Sequence, residues 1–216
     1  MENIWIIGAG HFGQLAVDRL LNSKKNYEIT WVDPDRESLS TLSHPSITPI
    51  QGDGIEFLVR NLSPETPVDW ILPCLPRHLA WEWCRRYMGE GRLMPEALPR
   101  ALWGELPHPM VGEDGQIYVS HADFLCPDDC PEPASLCTAT GQPRKENMYE
   151  LIQKFSPNGR ISHVIRSHQL GPGIGGYTPA QLFDLARAVA SHSTPGIIAT
   201  ACRCHGVISP YLANFP

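Results

Sequence analysis

Three glycines and an aspartate near the start of the chain have the spacing of a dinucleotide-binding turn. Residues 8–13 read Gly-Ala-Gly-His-Phe-Gly and directly follow a short apolar run. In such a turn the first glycine permits a sharp bend, the second lets a pyrophosphate approach the backbone, and the third lets the next helix pack closely. Asp33 lies about 20 residues beyond Gly13, where its carboxylate can accept hydrogen bonds from the hydroxyls of an adenosine ribose. This pattern predicts a site for NAD or NADP.

The hydrophobic pattern predicts the elements that position this turn. Apolar runs at residues 3–7 and 27–32 predict two strands, and the apolar spacing of residues 15–21 predicts a helix between them. The amino end of that helix presents free N–H groups and a positive dipole to the phosphates. Asp33 repels a 2′-phosphate and therefore favours NAD, whereas Arg36 could reach that phosphate, so NADP stays an alternative.

Strands and helices continue to alternate along the next part of the chain. Helices are predicted at residues 35–42, 55–62 and 78–88, and strands at residues 47–50 and 68–72. This alternation predicts a parallel sheet, in which the loops that follow the strands meet at one ligand-binding edge. The fold class that we expect is α/β, with a Rossmann-like, doubly wound and mainly parallel sheet.

The first part of the chain resembles a known family. The turn at residues 8–13, the acid Asp33 and the Gly52-Asp53 pair are similar to the nucleotide-binding domain of the TrkA-N (RCK) type, and the resemblance covers roughly the first 75 residues. It implies that Asp33 holds the adenosine ribose and that Asp53 lies near the adenine. The usual C-terminal ligand-binding domain of that family has no match here, so a role in potassium-transport control is not implied. The candidate cofactor-binding residues are Gly8, Gly10, His11, Phe12, Gly13, Asp33 and Asp53.

Changes in composition divide the chain into three predicted parts. Residues 1–88 form the dinucleotide-binding core, and residues 89–158 form an irregular insert rich in proline and cysteine. Residues 159–216 form a strand–helix–strand unit that completes the same sheet. Within the insert, Asp114-Gly115 between two apolar runs predicts a β-hairpin.

The last part has its own sequence signals. A strand is predicted at residues 161–167, a glycine-rich loop at residues 171–176, and a further strand at residues 197–201. Thr178 as N-cap and Pro179 in the first helical position predict the start of a helix between the loop and the last strand.

The residues that flank the glycine-rich loop at 171–176 are the candidates for catalysis. His168 before it and Tyr177 after it are the candidate catalytic residues, and with Arg166 they could bind a carboxylate or phosphate and supply a proton. The amides of the loop could also cradle an anion, or the glycines could only allow two backbones to approach. The chain has no Tyr-x-x-x-Lys signature, so the general acid is not identified.

The cysteines are the second group that could do chemistry. Three thiols lie in a proline-rich loop, and a fourth ligand could come from the turn at residues 202–205. Zinc takes four cysteines or three cysteines and a histidine, an iron–sulfur cluster also takes four thiolates, and unliganded or redox-active thiols are the third alternative. Cys74 and Cys84 lie in strand-end and helix contexts and are interpreted as packed thiols. The candidate metal ligands are Cys126, Cys130, Cys137, Cys202, Cys204 and His205.

Composition limits the classes of function. A net charge of −6 without a basic tract argues against nucleic-acid binding, because phosphate contacts need clustered Lys and Arg. No apolar run reaches the length of a membrane span, and the chain enters a strand at once rather than a signal peptide. We therefore expect a cytoplasmic protein without membrane insertion, for which a homodimer is compatible with the sequence.

Three functions fit these observations. The first is an NAD(P)-dependent oxidoreductase that acts on a small anionic substrate. The second is a non-enzymatic sensor of TrkA-N type, in which the nucleotide is a regulatory ligand and the cysteines report redox or metal status. The third is an electron-transfer site in the insert that is coupled to the nicotinamide.

Overall fold

The computed structural model describes residues 1–144 and 146–215 as a mixed α/β structure. The strands are β1 (Glu2–Ile7), β2 (Tyr27–Asp33), β3 (Ile47–Gln51), β4 (Trp70–Pro73), β5 (Leu93–Pro95), β6 (Met110–Val111), β7 (Ile117–Ser120), β8 (Ile161–Arg166), β9 (His168–Gly171), β10 (Ile174–Gly176), β11 (Gly196–Ala201) and β12 (His205–Ala213). The α-helices are α1 (His11–Leu21), α2 (Arg36–Leu39), α3 (Gly54–Asn61), α4 (Leu79–Met88), α5 (Met148–Lys154) and α6 (Pro179–Ala190). Short 3₁₀ helices cover Arg100–Leu102, Glu113–Gly115 and Pro157–Gly159.

The first half of the chain forms a four-stranded parallel sheet. Its strand order is β3-β2-β1-β4, and every neighbouring pair is parallel. The central strand β1 places Ile4 and Ile6 in one hydrophobic cluster and Ile7 in another, so both faces of the sheet are covered. The predicted parallel sheet is therefore confirmed for this half of the chain.

The second half forms a separate sheet, which corrects the sequence-based prediction. The order is β6-β7-β12-β11-β8, and β5 also pairs with β12. Only β8 and β11 are parallel to each other, and the strands that pair with β12 are antiparallel to it. The unit at residues 159–216 does not complete the first sheet, because β12 returns beside β11 and pairs with strands of the insert. Strands β5, β6 and β7 of the insert are accordingly part of this sheet, whereas residues 121–144 form the irregular loop that the sequence predicts.

A backbone bridge joins the first sheet to the segment between β10 and α6. The N–H of Ile71 in β4 donates to the carbonyl of Tyr177 at 2.9 Å, and the N–H of Tyr177 donates back at 3.1 Å. Tyr177 follows a hairpin of β9 and β10, which turns at Gly173 with a φ of 69°. The prediction of a glycine-rich loop at residues 171–176 is therefore wrong, since these residues form part of an antiparallel hairpin.

Other local predictions are confirmed. Thr178 precedes α6 as its N-cap with Pro179 in the first turn, and the backbone N–H of Thr178 donates to the side chain of Gln181 at 3.0 Å. Asp114 and Gly115, both with positive φ, connect β6 to β7 as the Asp-Gly signal predicts.

In the part of the chain that the structure describes, none of the helices has the length and apolar character needed to cross a membrane.

A buried histidine fastens the start of α4 to the second sheet. The imidazole of His78 contacts the Ser209 hydroxyl through Nδ1 at 2.8 Å and the Thr200 hydroxyl through Nε2 at 2.9 Å. Burial lowers the pKa of His78 to about 3, so the ring is neutral. Since a neutral imidazole has one donor and one acceptor, it must donate to one hydroxyl and accept from the other.

The buried His78 should make stability depend on pH. Between pH 6.5, the usual pKa of histidine in the unfolded chain, and pH 3, the unfolded chain binds a proton that the folded protein rejects. The free energy of unfolding should therefore decrease as pH falls through this range, by up to about 1.4 kcal/mol per pH unit from this group. His78→Gln should reduce the slope of the free energy of unfolding against pH, as measured by urea denaturation at several pH values.

The control for this prediction is His44→Gln, because His44 is exposed. It should leave the pH dependence of unfolding as in the wild type. Burial also lowers the pKa of His163 to about 4, so this residue adds a similar dependence of the free energy of unfolding on pH. Both variants retain that dependence. Equal slopes in the His78 variant and the wild type would contradict the prediction.

Candidate functional site

The glycine turn between β1 and α1 has the geometry that its spacing predicts. Gly8 has a φ of 115°, and a Cβ there would lie 2.3 Å from the carbonyl oxygen of Cys74. A Cβ at Gly13 would lie 2.1 Å from the carbonyl oxygen of Gly8. A Cβ at Gly10 would meet no atom within 4 Å. Packing thus requires the first and third glycines, whereas the second borders open space.

Asp33 lies against this turn. One carboxylate oxygen accepts the N–H of Ala9 at 2.6 Å, and the other accepts the N–H of Asp35 at 2.8 Å. Each oxygen has a second lone pair, so the carboxylate keeps acceptor capacity. Helix α1 has no capping side chain and no acidic residue in its first turn, which leaves its amino end suited to an anion.

Asp53 caps a helix, whereas the resemblance implies a place near the adenine. Its carboxylate caps α3 by accepting the N–H groups of Ile55 and Glu56 at 2.9 and 3.0 Å. It also pairs with the guanidinium of Arg77 at 3.1 Å. These backbone and arginine contacts keep the pKa of Asp53 below its usual value, although desolvation by burial, the largest single contribution, raises it.

Four cysteines from two separate parts of the chain line one cavity of about 710 Å³, which we call the thiol cavity. They are Cys126, Cys130, Cys137 and Cys204. The first three belong to the proline-rich loop, and the fourth is brought to them by the turn between β11 and β12. Cys202 and His205 line an adjoining cavity of about 300 Å³, together with Phe12 of the glycine turn.

Arg144 connects the chain segments that form the thiol cavity. Its guanidinium donates to the sulfur of Cys204 at 2.9 Å and to the carbonyls of Pro133 and Ala134 at 2.9 and 3.1 Å. Its backbone N–H donates to the carbonyl of Ser135 at 3.0 Å. One residue therefore ties the proline-rich loop to the second sheet and places a positive charge beside a thiol.

The thiols differ in how easily they ionise. The hydroxyl of Thr140, followed by the N–H groups of Thr140 and Ala139, lowers the pKa of Cys137. The sulfur of Cys202 accepts the N–H groups of Cys204 and His205 at 3.4 and 3.3 Å, but burial dominates and raises its pKa to about 12.

The predicted packed thiols also resist ionisation. Burial raises the pKa of Cys74 and of Cys84 to about 12 in both cases. This agrees with their interpretation as packed thiols.

The residues of the thiol cavity meet some of the requirements of a metal site and not others. Thiols that share one cavity are the donors that zinc and iron–sulfur clusters take. Within residues 1–144 and 146–215, however, no three side chains of His, Cys, Asp or Glu are grouped closely enough to hold one metal ion. In the part of the chain described, the Nε2 atom of His121, which also borders the thiol cavity, is buried and has no hydrogen-bond partner.

The proline-rich loop packs on the glycine turn and its helix. Nε2 of His11 contacts the carboxylate of Asp128 at 2.8 Å, and Arg19 donates to the carbonyl of Asp128 at 2.9 Å. The carbonyl of Cys130 accepts the N–H of Gly173 at 3.0 Å and the side-chain amide of Gln169 at 2.6 Å. The loop thus contacts both α1 and the hairpin of β9 and β10.

The candidate catalytic residues His168 and Tyr177 have different surroundings. The ring of His168 lies 5.9 Å from that of Trp70, and the guanidinium of Arg166 lies 4.6 Å above the ring of Tyr149. Tyr177 is fully buried, which raises its pKa, and its hydroxyl has no partner among the residues described. The sequence pattern did not predict a role for Arg144 or His78. The cysteines near Arg144 were a signal for that residue, whereas His78 had none.

Comparison with known proteins places the second half of the chain in a family. Residues 80–213, more than half of the chain, match the model of AF_1314_C, described as "Uncharacterized protein, C-terminal domain". The chain belongs to the AF_1314_C family. The AF_1314_C match includes the cysteines of the thiol cavity and excludes the glycine turn.

A relative covers both halves of the chain. It is an "Uncharacterized protein" of Archaeoglobus fulgidus, 28% identical over an alignment of 216 positions that covers 94% of this chain and 96% of the relative. The alignment therefore spans both the glycine turn and the AF_1314_C match of this chain. No solved structure matches the chain.

The environment of Cys137 predicts its reactivity. After treatment with a chelator, iodoacetamide should modify Cys137 before Cys74 and Cys84, because the thiolate is the reacting species. Thr140→Val should slow the modification of Cys137 severalfold, as measured by mass spectrometry of peptides over time. Thr138→Val is the matched control, since the Thr138 hydroxyl faces Cys130. An unchanged rate in Thr140→Val would contradict the assignment.

Proposed function

We propose that the protein binds NAD at the glycine turn and acts as an oxidoreductase on a small anionic substrate. The observation that carries this proposal is the contact between the Asp33 carboxylate and the N–H of Ala9 at 2.6 Å, beside the open face of Gly10. A carboxylate at this point can accept ribose hydroxyls while the phosphates lie at the amino end of α1.

The topology of the first sheet supports the same proposal. The order β3-β2-β1-β4 corresponds to the first four strands of the Rossmann order 3-2-1-4-5-6, and ligands of such sheets bind where the strand order reverses, here beside β1. We propose on this basis a Rossmann-like domain of TrkA-N type over the first part of the chain. Asp33 favours NAD over NADP, since its charge repels a 2′-phosphate.

The thiol cavity supplies the second part of the proposal. Cys126, Cys130, Cys137 and Cys204 would hold zinc or an iron–sulfur cluster, with the Arg144 guanidinium offsetting part of the negative charge. Cys204 is preferred as the fourth ligand to Cys202 and His205, because it shares the cavity with the other three. Free cysteines throughout the chain fit a cytoplasmic location, which we propose as well.

A nucleotide sensor is the second candidate function. It is favoured by the contact of Asp128 with His11 at 2.8 Å, because this contact links the loop of the thiol cavity to the glycine turn. In that case the nucleotide would be a regulatory ligand, and a change at the thiols would alter its affinity.

Nucleotide binding is tested with Gly10→Val. Since a side chain at this position meets no protein atom within 4 Å, the variant should fold, but it would fill the space that the pyrophosphate needs. We expect NAD affinity in calorimetry to fall at least about tenfold, equivalent to about 1.4 kcal/mol. Gly104→Val, also in open space but outside the turn, should bind NAD normally. Normal NAD binding by Gly10→Val would refute the cofactor site.

Metal binding is tested by elemental analysis of protein purified without oxygen. We expect stoichiometric zinc or iron, with a brown colour in the case of iron–sulfur. Cys130→Ser should lower the metal content and increase protease cleavage of the loop, whereas Cys84→Ser should retain the metal because Cys84 is buried in the core. Metal content unchanged in Cys130→Ser would remove this cysteine from the ligand set.

NADH oxidation separates the two functions. The oxidoreductase should oxidise NADH in the presence of a small carbonyl acid, whereas a sensor should bind NADH without consuming it. The absorbance of NADH over time in the wild type, with Gly10→Val as the inactive control, distinguishes them.

A further inference from the structure

The adjoining cavity of about 300 Å³ lies where the carboxyl ends of strands from both sheets meet. Ser167 directly follows β8, Cys202 directly follows β11, and both residues line this cavity. Phe12, which follows β1 through the glycine turn, lines it from the side of the first sheet. Ligands of α/β sheets bind outside the carboxyl ends of parallel strands, and β8 and β11 are parallel to each other. The place of this cavity in the fold is therefore that of a ligand site.

The hairpin of β9 and β10 connects the adjoining cavity to β4. The bridge between Ile71 of β4 and Tyr177 is antiparallel. The residues before Tyr177 therefore extend towards the carboxyl end of β4, and the tip of the hairpin at Gly173 reaches that edge of the first sheet. Gly173 and Ile174 line the cavity. One wall of the cavity thus lies beside the carboxyl end of β4.

The order of elements along this edge gives the direction of a bound dinucleotide. Asp33 ends β2, the glycine turn follows β1, β4 is the next strand, and the hairpin lies beyond β4. With the adenosine ribose at Asp33 and the pyrophosphate at the glycine turn, the remainder of the dinucleotide extends over β4. Two strand spacings, about 10 Å, separate the turn from the hairpin, and a ribose with its attached ring spans this distance.

Phe12 gives the cavity a flat apolar surface. It lies in the first turn of α1 and is 53% exposed, although it is large and aromatic. Aromatic side chains stack on other planar rings in offset or edge-to-face arrangements. A planar ligand ring in the cavity would cover this exposed surface.

The charged side chains that line the cavity favour a positive ligand. They are the carboxylates of Asp128 and Glu132, and the described residues that line the cavity include no Lys or Arg. Asp128 contacts the His11 ring, whereas the Glu132 carboxylate accepts the backbone N–H of Arg203, a neutral group that leaves its charge in place. A carboxylate has more acceptor sites than this one bond uses. Glu132 can therefore accept a further N–H from a ligand and attract a positive charge on it.

We infer that the adjoining cavity binds the nicotinamide ring of the dinucleotide and favours its oxidised, positively charged form. The ring stacks on Phe12, and its carboxamide donates to the Glu132 carboxylate. This inference rests on the proposed function, since it requires NAD at the glycine turn. It places the ring beside Cys126, Cys130 and Cys204, which line both this cavity and the thiol cavity.

The position of the ring is tested by calorimetry on the full chain with NAD⁺ and with ADP-ribose, which lacks the nicotinamide. We expect the wild type to bind NAD⁺ at least about fivefold more tightly than ADP-ribose. Phe12→Ala should remove most of this difference and leave the affinity for ADP-ribose unchanged. Phe124→Ala is the matched control and should keep the full difference, because Phe124 lines the thiol cavity and not the adjoining one.

The preference for the oxidised ring is tested by comparing NAD⁺ with NADH. The wild type should bind NAD⁺ more tightly, and Glu132→Gln should reduce the ratio of the two affinities severalfold. Glutamine keeps an oxygen that can accept the N–H of Arg203, so this change removes the charge and retains the contact. Glu105→Gln, at an acid that lines only the thiol cavity, should leave the ratio unchanged.

Two outcomes would overturn the place of the ring. They are equal affinities of the wild type for NAD⁺ and ADP-ribose, and an equal loss of both ligands in Phe12→Ala. An unchanged ratio of NAD⁺ to NADH affinity in Glu132→Gln would overturn the preference for the oxidised form. Since Phe12 is exposed, Phe12→Ala should fold as the wild type does, which thermal unfolding checks.

The inference and the proposed function can be told apart in the same experiments. Binding of NAD⁺ and ADP-ribose with equal affinity, lost in Gly10→Val, would keep the dinucleotide site and refute the nicotinamide cavity. Failure of the wild type to bind either ligand would refute the proposed function and the inference together.

Discussion

The two hydrogen bonds between Ile71 and Tyr177 join the parallel sheet to the segment that leads into α6. Ile71 belongs to the edge strand of the parallel sheet, and Tyr177 lies directly before the helix that covers the second sheet. The bridge leaves no room for a side chain at Gly176, where a Cβ would lie 2.9 Å from the Ile71 carbonyl oxygen. His78 reinforces the same junction from the start of α4. The parallel sheet and the second sheet are therefore parts of one arrangement.

The first 88 residues could be predicted well because each of their signals is local. A strand, a turn and a helix that follow one another in sequence also pack on one another, so the spacing of Gly8, Gly10 and Gly13 contains most of the required information. Asp33 follows from the same logic, since it ends the next strand. Asp53 was located correctly at a strand end, but only the structure identified it as the cap of α3.

The second half could not be predicted to the same extent, because its sheet depends on long-range pairing. β12 contains Gly206 and Pro210, two residues that weaken a strand signal, although it lies in the middle of the sheet. Once β12 is missed, the strands of the insert have no partner, and residues 159–216 are assigned to the wrong sheet. The place of Cys204 beside Cys126 and Cys130 follows from this pairing and not from any spacing along the chain.

The hydrogen bonds of Arg144 have a consequence for the order of assembly. The loop around the thiols is shaped by the chain itself, through the carbonyls of Pro133, Ala134 and Ser135. The loss of backbone entropy in this loop accordingly belongs to folding and not to ligand capture. Any ligand of these thiols would therefore meet a loop that is already folded.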